Sequence, residues 1–217
     1  MTNKATPIAI FDFDGTMIKG DSIVPYLQYA FQKGKLSLAS ALRVLPSSLL
    51  GVMGLISAEK GKTAALRFLK GMSQEEQQGF NASFLQERIL PRVFPQATKR
   101  LLYHRAQEHI ILLVSASPAC YMQQLKDFLP VHDVLASPTS VEGVVSNNCK
   151  GEEKVRRVQQ WAKENNMNID WQGGSAYGDS LSDAPVMSLT GHPVCVNAKK
   201  ALIQKQPDWA AETWTET

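Results

Sequence analysis

Two spacings of apolar residues divide this chain. Short runs of apolar and small residues, of strand length, occur at Ile8–Phe11, His109–Val114, Val134–Ala136, Gly174–Gly178 and Pro193–Val196. Such runs, without polar alternation, mark strands buried on both faces, as in a parallel sheet. Between Lys19 and about Phe94 they vanish and helix spacing takes over. Ser22–Lys33 reads as a helix, with Asp21 or Ser22 as N-cap and Pro25 in its first turn. Leu36–Ala58 is strongly apolar with Arg43 as its only charge, and Pro46 with Ser47-Ser48 should split it into two helices. Lys62–Gly71 reads as a helix closed by glycine. Gln74–Ile89 reads as another, with Ser73 as N-cap and Glu76 completing a capping box.

From Gln96 onward helices and strands alternate. Ala97–Glu108, Pro118–Phe128 and Glu152–Glu164 are predicted helices, and Val141–Val145 a hairpin turning at Gly143. Asp208–Thr217 reads as a ragged end. The pattern predicts an α/β protein: a Rossmann-like, three-layer parallel-sheet core of residues 1–19 and 95–217, with an all-helical cap of residues 20–94 inserted after the first strand.

Composition narrows the options. The 217 residues are 44% hydrophobic, enough for a sizeable core. With 23 basic and 20 acidic residues the net charge is +3, so nucleic acid is not an expected partner. The three cysteines, Cys120, Cys149 and Cys195, are scattered without a C-x-x-C, which favours a reduced, cytoplasmic protein over a disulfide scaffold or zinc site. Met1–Pro7 holds one lysine and no apolar run, so no leader is expected. The four histidines show no ligand spacing. No obligate protein partner is implied.

The chemistry gathers at strand ends. The first run closes as Phe11-Asp12-Phe13-Asp14-Gly15-Thr16. In open α/β sheets the crevice at the carboxyl ends of the strands is where ligands bind. A carboxylate there can attack phosphorus and form an aspartyl-phosphate. A second carboxyl two residues on can protonate the leaving group and then activate water. Ser115 closes the second run as Asp12 closes the first, and its hydroxyl, with the amides around Ala116, suits phosphoryl oxygens. Asp179 and Asp183 stand in Gly178-Asp179-Ser180-Leu181-Ser182-Asp183. An all-oxygen donor set of this kind favours Mg²⁺.

These motifs, in this order from Ile8 to Asn197, resemble those of the haloacid dehalogenase superfamily of phosphatases. They resemble most its phosphoserine-phosphatase-like subfamily IB, in the branch that includes phosphatidylglycerophosphatase C. The resemblance implies Asp12 as nucleophile and Asp14 as acid/base, with Gly15, Thr16, Ser115 and Ala116 near phosphate. It also implies Mg²⁺ on Asp12, Asp14 (through its backbone carbonyl), Asp179 and Asp183. The family's third motif is a lysine opening a helix with apolar residues four and seven positions on. Lys154 satisfies that with Val158 and Trp161; Lys150 does not, and stays in reserve.

The cap should choose the substrate, a small phosphomonoester. Asp21 takes the position at which phosphoserine phosphatases hold the substrate's ammonium, but their cap arginine and Ser-Gly-Gly motif are missing. That makes phosphoserine an alternative rather than the first reading. The charge-free stretch Val44–Ala58 is either a buried cap face or a surface that meets lipid phosphates at the inner membrane face. Phosphoryl transfer to an alcohol and a receiver-like signalling module are the rival functions.

Overall fold

The computed structural model describes residues 5–36 and 57–216. Its strands are β1 (Thr6–Phe11), β2 (Ile110–Pro118), β3 (Asp133–Ser137), β4 (Ile169–Gly178), β5 (His192–Val196) and β6 (Ala210–Glu212). They form one six-stranded sheet, ordered β3-β2-β1-β4-β5-β6, with every pairing parallel. The apolar runs are continuous because both faces are covered. In β1, Ile8 and Ile10 face one layer while Ala9 and Phe11 face the other. The first layer holds Val158 and Trp161 of α6 (Glu152–Glu164), Met187 of α7 (Ala184–Met187) and Leu202 of α8 (Lys200–Lys205). The second holds Ala97 and Leu101 of α4 (Pro95–Ala106) and continues into the helices inserted after β1.

Among the described residues, that insertion contains α1 (Ile23–Gln32), α2 (Ala58–Ala65) and α3 (Gln74–Phe84). Tyr26 and Tyr29 of α1 and Phe84 of α3 are buried together, with Tyr26 and Phe84 ring centroids 4.8 Å apart. The Ser73–Glu76 capping box opens α3 as its spacing predicts. The helix expected over Lys62–Gly71 differs. Ser57 caps α2 four residues earlier, and a 3₁₀ turn at Arg67–Gly71 replaces its second half. The expected continuation of α3 to Ile89 is a π turn, Leu85–Ile89. Pro118–Phe128 is a short helix, α5 (Ala119–Met122), followed by 3₁₀ turns. Val141–Val145 forms a turn at Gly143 closed by one Thr139–Val145 bridge rather than a hairpin. Most of Leu36–Ala58, including the break at Pro46, lies outside the described residues.

The end of the chain departs most from expectation. Ala210–Glu212 pairs with β5, Arg100 bonds Glu212, and Trp214 is buried. Asn197 clasps Trp214 in both directions at 3.0 Å, donating to its carbonyl and accepting from its N–H. No described helix is long and apolar enough to cross a membrane.

The connection order sets the functional crevice. From β1 the chain runs outward to β2 and β3, then returns across β1 to β4. The order in which successive strands are added therefore reverses between the parallel neighbours β1 and β4, and the loops leaving those two strands part at their carboxyl ends.

Candidate active site

Asp12 follows β1 and Asp179 follows β4, so the two stand on either side of that reversal. With Asp183 they form the cluster in which one carboxylate oxygen from each lies within 4.8 Å of the others. All three are buried. Lys154 enters from the first turn of α6 because Val158 and Trp161, on the same face, anchor that helix to the sheet. Its Nζ donates to Asp12 Oδ1 and to Asp183 Oδ1, each at 2.7 Å. Lys150 lines the same cavity, but the buried ion pairs belong to Lys154.

Each remaining residue singled out above has a definite place. Thr16 is fully buried and donates to Asp12 Oδ2 at 3.0 Å, so it orients that carboxylate rather than facing the cavity. Gly15 adopts φ +83°, and a Cβ there would lie 2.6 Å from Asp179 Oδ2. Asp14 accepts from the Ser22 backbone N–H at 2.7 Å and from Ser117 Oγ at 2.5 Å. Ser115 Oγ is 3.5 Å from the same carboxylate, at the outer limit of a hydrogen bond. Asp21 is exposed, and its carboxylate accepts from the Ile23 N–H at 3.0 Å. Asp12, Asp14, Asp21, Ser115, Ala116, Lys154, Asp179 and Asp183 all line one cavity of about 780 Å³ beneath α2.

Three groups in this cavity escaped the sequence reading. Ser117 closes Ser115-Ala116-Ser117 at the end of the second strand run, where only Ser115 and Ala116 are given a role in the sequence. Lys199 sits beyond the last predicted strand, and its Nζ is 2.8 Å from Asp179 Oδ2. Lys62, in α2, donates to the Ala116 carbonyl at 2.5 Å and to Asn148 Oδ1 at 2.6 Å. Its charge run, Glu59-Lys60-Gly61-Lys62, reads as solvated surface.

Burial sets the electrostatics. It lifts the Asp12 carboxyl to about 7 against the pull of the Lys154 ammonium, and the Asp183 charge adds to the rise. It lifts Asp14 to about 6, helped by the negative charge of Asp21 and opposed by the bonds from Ser117 and Ser22. Burial opposes the charge on Lys154, but the two flanking carboxylates hold its pKa well above the ordinary lysine value. Asp183 is the carboxyl held low: burial pushes it up, and Lys154, together with the bonds from the Ser180 hydroxyl and N–H, more than offsets that. The cluster thus combines three carboxylates with one buried ammonium and is short of positive charge. A hard divalent cation with oxygen ligands fits that deficit.

A family model for haloacid dehalogenase-like hydrolases matches residues 9–188. A histidinol-phosphatase of Neisseria meningitidis serogroup C (strain 8013) is 25% identical over 213 residues, covering 93% of this chain and 96% of that one. A protein of unknown function from Bordetella pertussis Tohama I superposes with a TM-score of 0.86 at 21% identity, over 96% of this chain and 98% of that one. A phosphoserine phosphatase solved as a phospho-aspartyl intermediate analogue superposes with a TM-score of 0.63 at 18% identity, over 99% of this chain and 95% of that one. At these identities the superpositions speak to the fold.

Proposed function

We propose that this chain, which belongs to the haloacid dehalogenase-like hydrolases and is a phosphatase of that family, hydrolyses a small phosphomonoester through an aspartyl-phosphate on Asp12. The observation that carries the reading is the convergence of Asp12, Asp179 and Asp183 around buried Lys154, on one cavity with Asp14.

Asp12 attacks phosphorus in line, and the ester P–O bond breaks as the O–P bond to Asp12 forms. Asp14, its carboxyl lifted by burial, gives its proton to the leaving alkoxide. It then takes a proton from water as that water attacks the phosphoryl group, which frees inorganic phosphate and restores Asp12. Lys154 balances the charge of Asp12 and Asp183, while the Ser115 hydroxyl, its oxygen accepting from the Ser117 N–H, turns its proton toward the phosphoryl oxygens. Thr16, holding Oδ2, and Lys154, holding Oδ1, together fix the orientation of the Asp12 carboxylate. Asp12, Asp179 and Asp183, with the backbone carbonyl of Asp14, would hold Mg²⁺, which when bound supplies positive charge for the phosphoryl oxygens and for this carboxylate-rich pocket.

Residues 1–19 and 95–217 form the catalytic domain in this reading, and residues 20–94 form the cap that selects substrate. Asp21, exposed at the cavity rim, suits a cationic group on the substrate. The relative named histidinol-phosphatase favours such an amine-bearing metabolite over a lipid phosphate. The lipid reading rests on Val44–Ala58, of which all but the last two residues lie outside those described. The reading places the enzyme in the cytoplasm, with no obligate protein partner.

The test is hydrolysis of an aryl phosphate with Mg²⁺. Activity should require the metal and should vanish in Asp12→Asn and in Asp179→Asn. More than a trace of turnover in Asp12→Asn refutes the nucleophile assignment.

A further inference from the structure

We propose that Lys62, a cap residue distant in sequence from every catalytic motif, is a positioning residue for Ser115–Ser117, the turn made where the register of β2 shifts between Val114 and Pro118. This rests on the reading that the turn faces the phosphoryl group. The Ala116 carbonyl accepts from Lys62 Nζ at 2.5 Å and from Ser137 Oγ at 2.6 Å. A trans peptide directs its C=O and the following N–H to opposite sides. With the carbonyl drawn toward Lys62, the Ser117 N–H turns the other way and donates to Ser115 Oγ at 3.0 Å. Ser115 Oγ thereby accepts from the backbone and keeps its own proton to donate into the cavity. Ser117 Oγ in turn donates to Asp14. One peptide plane, gripped by Lys62, aligns both serines.

Lys62 is also where the cap reaches through the underlying loop. Its helix neighbours stop at that loop: Glu59 accepts from the Asn148 N–H at 3.3 Å, and Thr63 accepts from the Val145 N–H at 2.9 Å. Gly143 lies so close beneath α2 that a Cβ would come within 2.3 Å of the Leu66 carbonyl. Lys62 alone of the three continues to β2, and holds Asn148 Oδ1 on the way at 2.6 Å. The seating of α2 on the core is therefore transmitted to the turn by a single ammonium. A small displacement of a phosphoryl-binding group costs rate steeply, which makes this grip matter for turnover.

Lys62→Met tests the idea, since it removes the ammonium while nearly keeping the side-chain length and leaves the Ala116 carbonyl its bond from Ser137. Four quantities are measured: kcat/KM for p-nitrophenyl phosphate, the inhibition constant of orthovanadate, the Mg²⁺ affinity by calorimetry and the thermal midpoint. The proposal expects kcat/KM to fall about tenfold to a hundredfold. The vanadate constant should rise in step while Mg²⁺ affinity stays within about twofold, and Lys62→Arg should recover part of the loss. Thr63→Val, which loosens the neighbouring cap contact, should leave vanadate binding unchanged. An unchanged vanadate constant in Lys62→Met overturns the proposal. So does an equal loss in Thr63→Val, which would make the effect one of cap seating in general. Failure of the wild-type enzyme to bind vanadate would instead overturn the phosphate role of the turn itself.

Discussion

Lys154→Met asks how the buried cluster carries its charge. Lys154 is 2% exposed and makes both of its ion pairs at 2.7 Å. Methionine is similar in length and apolar, so Asp12 and Asp183 would lose the buried ammonium between them. A buried carboxylate without a partner costs several kcal/mol, and it takes up a proton instead. Asp12 is already lifted by burial, whereas the Lys154 ammonium is the charge that lowers Asp183, helped by the bonds from the Ser180 hydroxyl and N–H, so Asp183 is the group that changes state. Protonating one carboxyl at pH 7 against an unfolded value near 4 costs about 4 kcal/mol. The sign follows from proton counting. In the wild type, the lowered pKa of Asp183 contributes stability above about pH 4 that is lost as pH falls through its folded value. In the variant the folded state binds one proton more than the unfolded state, so its stability falls as pH rises above about 4. The gap between the two proteins should therefore widen by about 1.4 kcal/mol per pH unit between pH 5 and 7 and reach at least about 4 kcal/mol at pH 7. Urea unfolding at pH 5, 6 and 7, without divalent metal, measures it. A gap independent of pH, or one below about 1 kcal/mol at pH 7, refutes the claim that Lys154 is the counter-charge of the cluster.

Two further substitutions separate the remaining roles. Asp14→Asn should lower kcat for an alkyl phosphate by about 10²–10⁴-fold, and with p-nitrophenyl phosphate, whose leaving group needs no proton, it should give a burst of one nitrophenolate per enzyme followed by slow turnover. Absence of the burst would deny Asp14 its part in the second step. Gly15→Ala forces a side chain into φ +83° and against Asp179. It should cost about 1–2 kcal/mol in urea unfolding and weaken Mg²⁺ binding in calorimetry; unaltered Mg²⁺ affinity would show that Asp179 does not depend on that contact.

The elements that carry the site were legible because their signals are local and strong. Ile8–Phe11 and His109–Val114 read as strands because burial on both faces removes polar alternation, and the residues that follow them, Asp12 and Ser115, reach the cavity at the carboxyl ends of those strands. Lys154 was separable from Lys150 because only it shares a helical face with Val158 and Trp161. What stayed hidden depends on partners distant in sequence. Ala210–Glu212 has no apolar run and becomes a strand only because β5 presents a free edge to it. Lys199 and Lys62 look like surface lysines, and only the folded chain carries one to Asp179 and the other to Ala116. Ser57 accepts from the Lys60 N–H and caps α2, which is why that helix begins four residues before its expected start.

The most direct measurement concerns Asp12 itself. Enzyme mixed with Mg²⁺ and a phosphomonoester labelled in its phosphoryl group is quenched in acid within the first turnover, digested, and the label located by mass spectrometry. The account predicts an acid-stable, hydroxylamine-labile phosphoryl group on the peptide containing Asp12, and none in Asp12→Asn. Label on another residue, or full turnover with no phosphorylated peptide under conditions that trap the Asp14→Asn enzyme, would contradict it.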